Sequence, residues 1–192
     1  LLQYSLFSGQ YSIVMMQDLS LHILDIAENA TRAGATLIEI DIWEDIGKDL
    51  LQIRIQDNGR GMDPEMLKGA TDPFVTTRTT RRVGMGLPLL KQAARETGGD
   101  LLMTSESGKG TRVLATFQKS HIDRRPLGDM GATLTALIMG NPDRDFVYRS
   151  NLREEEVEVD TRSIRKELDG AMGINDPAVM RLVRDLFSKR QG

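Results

Sequence analysis

The stretch "LLQIRIQDNGRGM", residues 50–62, decides how the chain is read. Leu51, Ile53 and Ile55 alternate with Gln52, Arg54 and Gln56, the period of a strand with one buried face. The alternation stops at Asp57, and Gly59 and Gly61 follow, so the backbone bends tightly beside a carboxylate. An ionised carboxylate only accepts hydrogen bonds, so whatever meets Asp57 there is expected to be a donor.

Working outward, "TLIEIDIWE" (residues 36–44) has the same alternation, and "DIGKD" is the turn joining it to the central strand. Residues 17–32 carry Leu21, Ile23, Leu24, Ile26, Ala27 and Ala30 at helical spacing, with Gly34 as a stop signal. On the other side, Pro64 suits the first turn of a short helix ending near Gly69. Residues 71–83, "TDPFVTTRTTRRV", have no clear period and read as a mobile loop. "GMG" at residues 84–86 then opens a helix, "LPLLKQAARET", which stops at Gly98 and Gly99. Strands at residues 100–105 and 111–119 follow, joined by "ESGKG" as a hairpin turn. The order helix, strand, strand, loop, helix, strand, strand predicts an α+β fold, a two-layer sandwich whose mixed sheet is covered on one face by helices.

Residues 120–192 form an extension. "HIDRRPLGD" is read as a linker and "MGATLTALIMG" as a short apolar helix, with a strand as the alternative because of its β-branched residues. "RDFVYRS" and "EEVEVDT" make a hairpin around Asn151. Val179, Leu182, Val183 and Leu186 form the apolar stripe of a last helix, opposite Arg181, Arg184 and Lys189. The extension is thus helix, hairpin, helix. Packing on the core is the common fate of such a stripe, and a partner or homodimer interface is the sharper reading.

With 192 residues the chain is long enough to bury a core, and it contains no cysteine. Thiolate metal sites, disulfides and a catalytic thiol are excluded, which suits a cytoplasmic location. The 25 basic and 28 acidic residues nearly balance, so neither a nucleic acid nor a membrane surface is expected as a partner. Residues 1–16, broken by Ser, Gln and Gly, are read as a leader or extraneous segment and set aside from the functional reading.

Three separated pieces converge on one ligand. Asp57 would accept the exocyclic amine of adenine. The glycines of "RRVGMGLPLL" leave free N–H groups at a helix start, which favours phosphate. In "HILDIAENATRAGA", residues 22–35, Asp25, Asn29 and Arg32 fall on one helical stripe as acid, amide and cation. The Asn29 amide oxygen suits a hard cation such as magnesium, which commonly bridges phosphates.

Together these residues resemble the GHKL superfamily of ATP-binding domains, over residues 21–119 and in the family's order. "ENATRAGA" resembles the N box, with Asn29 as the magnesium ligand. "DNGRGM" resembles the G1 box, with Asp57 reading adenine beside Gly59, Gly61 and Met62. "DPFVTTR" is similar to the F-box and lid, where Thr76, Thr77 and Arg78 would contact phosphate and Arg81 and Arg82 are further candidates. "GMGLPLLK" resembles the G2 box through Gly84, Met85, Gly86 and Leu87, and "GGDLLMTSESGKGTRV" the third glycine motif, with Thr111 near the adenine. ATP and Mg²⁺ are the implied cofactors, and residues 17–119 the ATP-binding domain.

The opening helix bears on the chemistry. ATP-hydrolysing members and anti-sigma serine kinases carry a glutamate base four residues before the asparagine; here Asp25 stands there, one methylene shorter, either as a base or as a residue that holds a magnesium-bound water or caps neighbouring groups. Arg32 resembles the basic residue of histidine kinases and would stabilise a transferring phosphoryl group. The short lid is also most similar to that of histidine kinases. His22, inside the helix, reads as a packed residue, and His121 lies in the linker; neither is expected to accept a phosphoryl group. The resemblance therefore implies a stand-alone, kinase-type ATP-binding protein with a partner protein as phosphoacceptor. An anti-sigma-type serine/threonine kinase, and a nucleotide-gated binding module with little turnover, are the alternatives.

Overall fold

The computed structural model describes residues 18–70, 86–153 and 155–188. In chain order the elements are α1 (Leu19–Arg32), β1 (Leu37–Asp45), β2 (Leu50–Asp57), α2 (Pro64–Gly69), α3 (Gly86–Glu96), β3 (Leu101–Glu106) and β4 (Gly110–Gln118). Then come α4 (Met130–Gly140), β5 (Asp145–Leu152), β6 (Glu155–Asp160), α5 (Thr161–Leu168) and α6 (Pro177–Ser188). The described strands form one mixed sheet in the order β3-β4-β2-β1-β5-β6. Neighbours are antiparallel except β1 and β5, which run parallel. The α+β sandwich expected from the sequence is the fold observed.

Alternation sets the two faces of the sheet. Ile38, Ile40 and Ile42 of β1, Ile53 and Ile55 of β2, and Phe117 of β4 are buried in one cluster with Ile23, Leu90, Leu134 and Val183 of the helices. The opposite face carries a row of charges in register: Arg54, Asp41, Arg149 and Glu158 sit side by side on β2, β1, β5 and β6. Asp41 accepts from Arg54 at 2.8 Å on one oxygen and from Arg149 at 3.1 Å on the other. Arg149 reaches on to Glu158. Such cross-strand pairs hold the register that the apolar face alone would set.

The extension continues this core. β5 pairs with β1 and adds β6 at the sheet's edge, while α4 packs against α1 and α6. "MGATLTALIMG" is a helix, capped by Asp129, whose carboxylate accepts from Ala132 N–H. Two details differ from expectation. A further helix, α5, follows the hairpin: Ile164 and Leu168 are the only apolar residues in "TRSIRKEL", too few to show a period, and the helix is set instead by Asp160 at its start and Asp169 in the left-handed region at its end. The buried face of α6 is Val179, Met180 and Val183, with Phe187 tilted against Tyr148 at 5.2 Å between ring centres. Leu182 and Leu186 are exposed, because contact with Tyr148 and Gly131 rotates the helix toward Met180 and Phe187.

Candidate functional site

A cleft of about 950 Å³ opens between α1, α2 and the ends of β2, β3 and β4, a size that accommodates a nucleotide-sized ligand. Asn29, Arg32, Asp57, Gly61, Met62, Leu87 and Thr111 all line it. Ile55, Met103 and Val113 complete an apolar floor. Sequence reading did not single these three out, although the signal existed: two-residue alternation puts Ile55 on the face of Asp57 and Val113 on that of Thr111.

Asp57 ends β2, opposite Ile38 of β1. Its Oδ1 accepts the Gly59 N–H at 2.8 Å. Burial pushes its carboxyl above the usual carboxylate range, and the Gly59 and Thr111 backbone amides pull it back. Asn58 does not face the cleft's chemistry: its side chain accepts from Thr36 and Leu37 N–H at 2.8 and 3.0 Å and holds the start of β1 beside the end of β2.

The turn after Asp57 is clamped onto the β3–β4 hairpin. The Met62 N–H donates to Ser105 Oγ at 2.8 Å, and that hydroxyl also donates to Gly110 carbonyl and lies 2.9 Å from Thr111 Oγ1. Gly61 and Gly110 have positive φ, +64° and +95°, and a side chain on either would overlap backbone across the seam, at Glu106 and at Asp57 respectively. Ser105, which sequence reading missed, is the hub of this seam; nothing in a strand's alternation marks a hydroxyl as a staple.

On the other wall, Arg32 is mostly exposed and leans back on its own helix, Nε donating to the Glu28 carbonyl at 3.1 Å. Asn29 lies with its Nδ2 toward Asp25, 3.5 Å from Oδ2. Asp25 itself does not line the cleft. Its Oδ2 accepts the Gly86 N–H at 3.0 Å, the first residue of α3. His22 is fully buried, with Nε2 3.1 Å from an Arg125 guanidinium nitrogen. Thr76, Thr77, Arg78, Arg81, Arg82, Gly84 and Met85 lie outside the described residues.

The partly buried Asp57, the glycine seam and Asn29 on the helix wall thus bound one cleft. Residues 16–121 match the model for histidine kinase-, DNA gyrase B- and HSP90-like ATPases. The chain belongs to that family. A putative sensor protein of Shewanella frigidimarina is 32% identical over 56% of this chain and 17% of its own length. A putative NtrY-like sensor histidine kinase of Rickettsia typhi is 30% identical over 50% of this chain and 16% of its own length, and the sensor protein SrrB of Staphylococcus aureus is 32% identical over 57% and 19%. The chain thus spans less than a fifth of these relatives. The N-terminal domain of a DNA repair protein shares the fold, with a TM-score of 0.52 and 18% identity over 75% of this chain and 52% of that one. The matched residues 16–121 are the part of the chain that carries this ATPase-family domain. Among the described residues, no helix is long and apolar enough to cross a membrane.

Proposed function

We propose that the chain binds Mg²⁺-ATP in this cleft and passes the terminal phosphoryl group to a partner protein, or signals through one. The observation that carries the reading is the partly buried Asp57 carboxylate at the apolar end of the cleft, faced by Thr111, with Asn29 on the opposite wall. Asp57 accepts from the base, and Met62, Met103 and Val113 exclude water from it. The sensor histidine kinases among the relatives support the same chemistry.

Magnesium fits the donor set. Asn29 lines the cleft, and with its Nδ2 engaged by Asp25 its amide oxygen would be the atom offered to a cation. Among the described residues, no group of three or more His, Asp or Glu side chains gathers as a protein cage, so Asn29 would hold a cation that takes its other oxygens from phosphate and water. Bound there, the metal neutralises phosphate charge. Arg32, exposed at the rim, would reach the same charge by giving up a long ion pair to the Glu28 carboxylate and the hydrogen bond from its Nε to the Glu28 carbonyl.

Ser105→Ala is expected to weaken ATP binding about tenfold, because it leaves the Met62 N–H without its acceptor and loosens the turn that frames Asp57. Calorimetric titration beside the wild type checks this.

Incubating the protein with γ-labelled ATP and magnesium, alone and with cell lysate, tests the function. Label on a partner protein that disappears with Asn29→Ala supports phosphoryl transfer, and acid lability of the bond separates a histidine from a serine acceptor. Because Asp25 is engaged by Gly86, a nucleotide-gated binding module with little turnover is the second reading. ATP binding with neither label nor phosphate release would select it.

A further inference from the structure

Asp25 occupies the place where a proton acceptor is expected, yet it does not line the cleft and its carboxylate is engaged by the backbone at the start of α3. One oxygen, Oδ2, accepts the N–H of Gly86 at 3.0 Å and lies 3.5 Å from Nδ2 of Asn29. The first contact joins residues 61 positions apart; the second joins neighbours on one helical stripe. The fit is close: a Cβ at position 86 would overlap Asp25 Oδ2 and come within 3.0 Å of its Cβ and Cγ. A side chain at position 86 would therefore push the Asp25 carboxylate off the N–H it accepts from.

We propose that Asp25 is a positioning residue: it ties α1 to the first residue of α3 and turns the Asn29 amide so that its oxygen faces the cleft, and it does not take a proton during turnover. The first N–H groups of a helix have no partner within it, and a carboxylate is the acceptor best suited to one of them. The same oxygen, once it faces Nδ2 of Asn29, favours one of the two amide orientations, the one that presents the oxygen to a cation. This carboxylate adds a polar tie between the wall that would hold the metal and the start of α3, beside the apolar packing the two helices already share. The role assigned to Asn29 rests on the proposed nucleotide site; the tie to Gly86 does not.

The test compares Asp25→Asn, which keeps an acceptor oxygen, with Asp25→Ala, which does not. Three readouts are taken: hydrogen exchange of the Gly86 amide in nucleotide-free protein by NMR, affinity for Mg²⁺-ATP, and phosphate release at saturating ATP. Asp25→Ala is expected to speed Gly86 exchange by at least tenfold and to weaken Mg²⁺-ATP about tenfold, with release per bound nucleotide within about threefold of wild type. Asp25→Asn should lie between the two proteins in exchange and affinity. Unchanged Gly86 exchange in Asp25→Ala would overturn the tie. Intact affinity with release abolished in Asp25→Asn would overturn it in favour of a general base. If wild-type protein fails to bind ATP, the proposed function falls, and Gly86 exchange still decides whether Asp25 holds α3.

Discussion

Replacing Asp57 with alanine is expected to raise the Kd for ATP about a hundredfold, a loss of roughly 2.7 kcal/mol, while leaving the chain folded. The carboxylate sits where β2 ends and the glycine turn begins, fixed by pairing with β1 and by the Gly59 N–H. It is the acceptor to which an adenine amine would donate, and the surrounding floor of Ile55, Met103 and Val113 excludes water that would otherwise compete. Stability should not suffer in the empty protein. Burial raises the carboxyl's pKa, which means the ionised group is held at a cost without ligand. Asp57→Asn should lose nearly as much affinity, because an amide that keeps its oxygen on Gly59 turns its NH₂ toward the base amine and sets donor against donor. Titration calorimetry gives the affinities, and circular dichroism with thermal melting confirms the fold.

The second large effect is on folding. Gly110→Ala is expected to destabilise the protein by roughly 2–5 kcal/mol and to lower Tm by on the order of 10 °C. Two costs add. The residue sits at φ +95°, disfavoured for a residue with a Cβ, and that Cβ would overlap the carbonyl oxygen of Asp57. Gly108, two residues earlier in the same turn, separates the costs, since it has φ +80° but nothing within 4 Å of an added Cβ. Gly108→Ala should therefore cost only about 1 kcal/mol, the conformational part alone. Equal melting temperatures for the two variants would show that the seam between the hairpin and the end of β2 is looser than described. A folded Gly110→Ala protein should also bind ATP poorly, because relief of the overlap displaces Asp57.

Elements were legible where a local signal was strong. The alternation of "LLQIRIQD" became β2 over the expected residues, and Pro64 opened α2 as its fixed φ requires. The order of motifs was equally readable, since Asp57, Gly61, Met62, Thr111 and Asn29 all reach one cleft. What sequence could not supply was long-range. β5 lies parallel to β1, a pairing made across about a hundred residues that no local pattern encodes. The stripe of α6 was misread because Leu182 and Val179 share a face in the abstract, whereas the side that docks is chosen by Tyr148. Asp25 shows the same limit within the site: helical spacing aligned it with Asn29, but only the tertiary approach of Gly86 shows where its carboxylate points.

Calorimetric titration of the intact chain with ATP, with magnesium present and then chelated, is the most direct test of the cleft. One ATP per chain is expected, bound more weakly without magnesium or in Asn29→Ala and lost in Asp57→Ala. No binding by the folded wild-type chain, or binding that Asp57→Ala leaves unchanged, would contradict it.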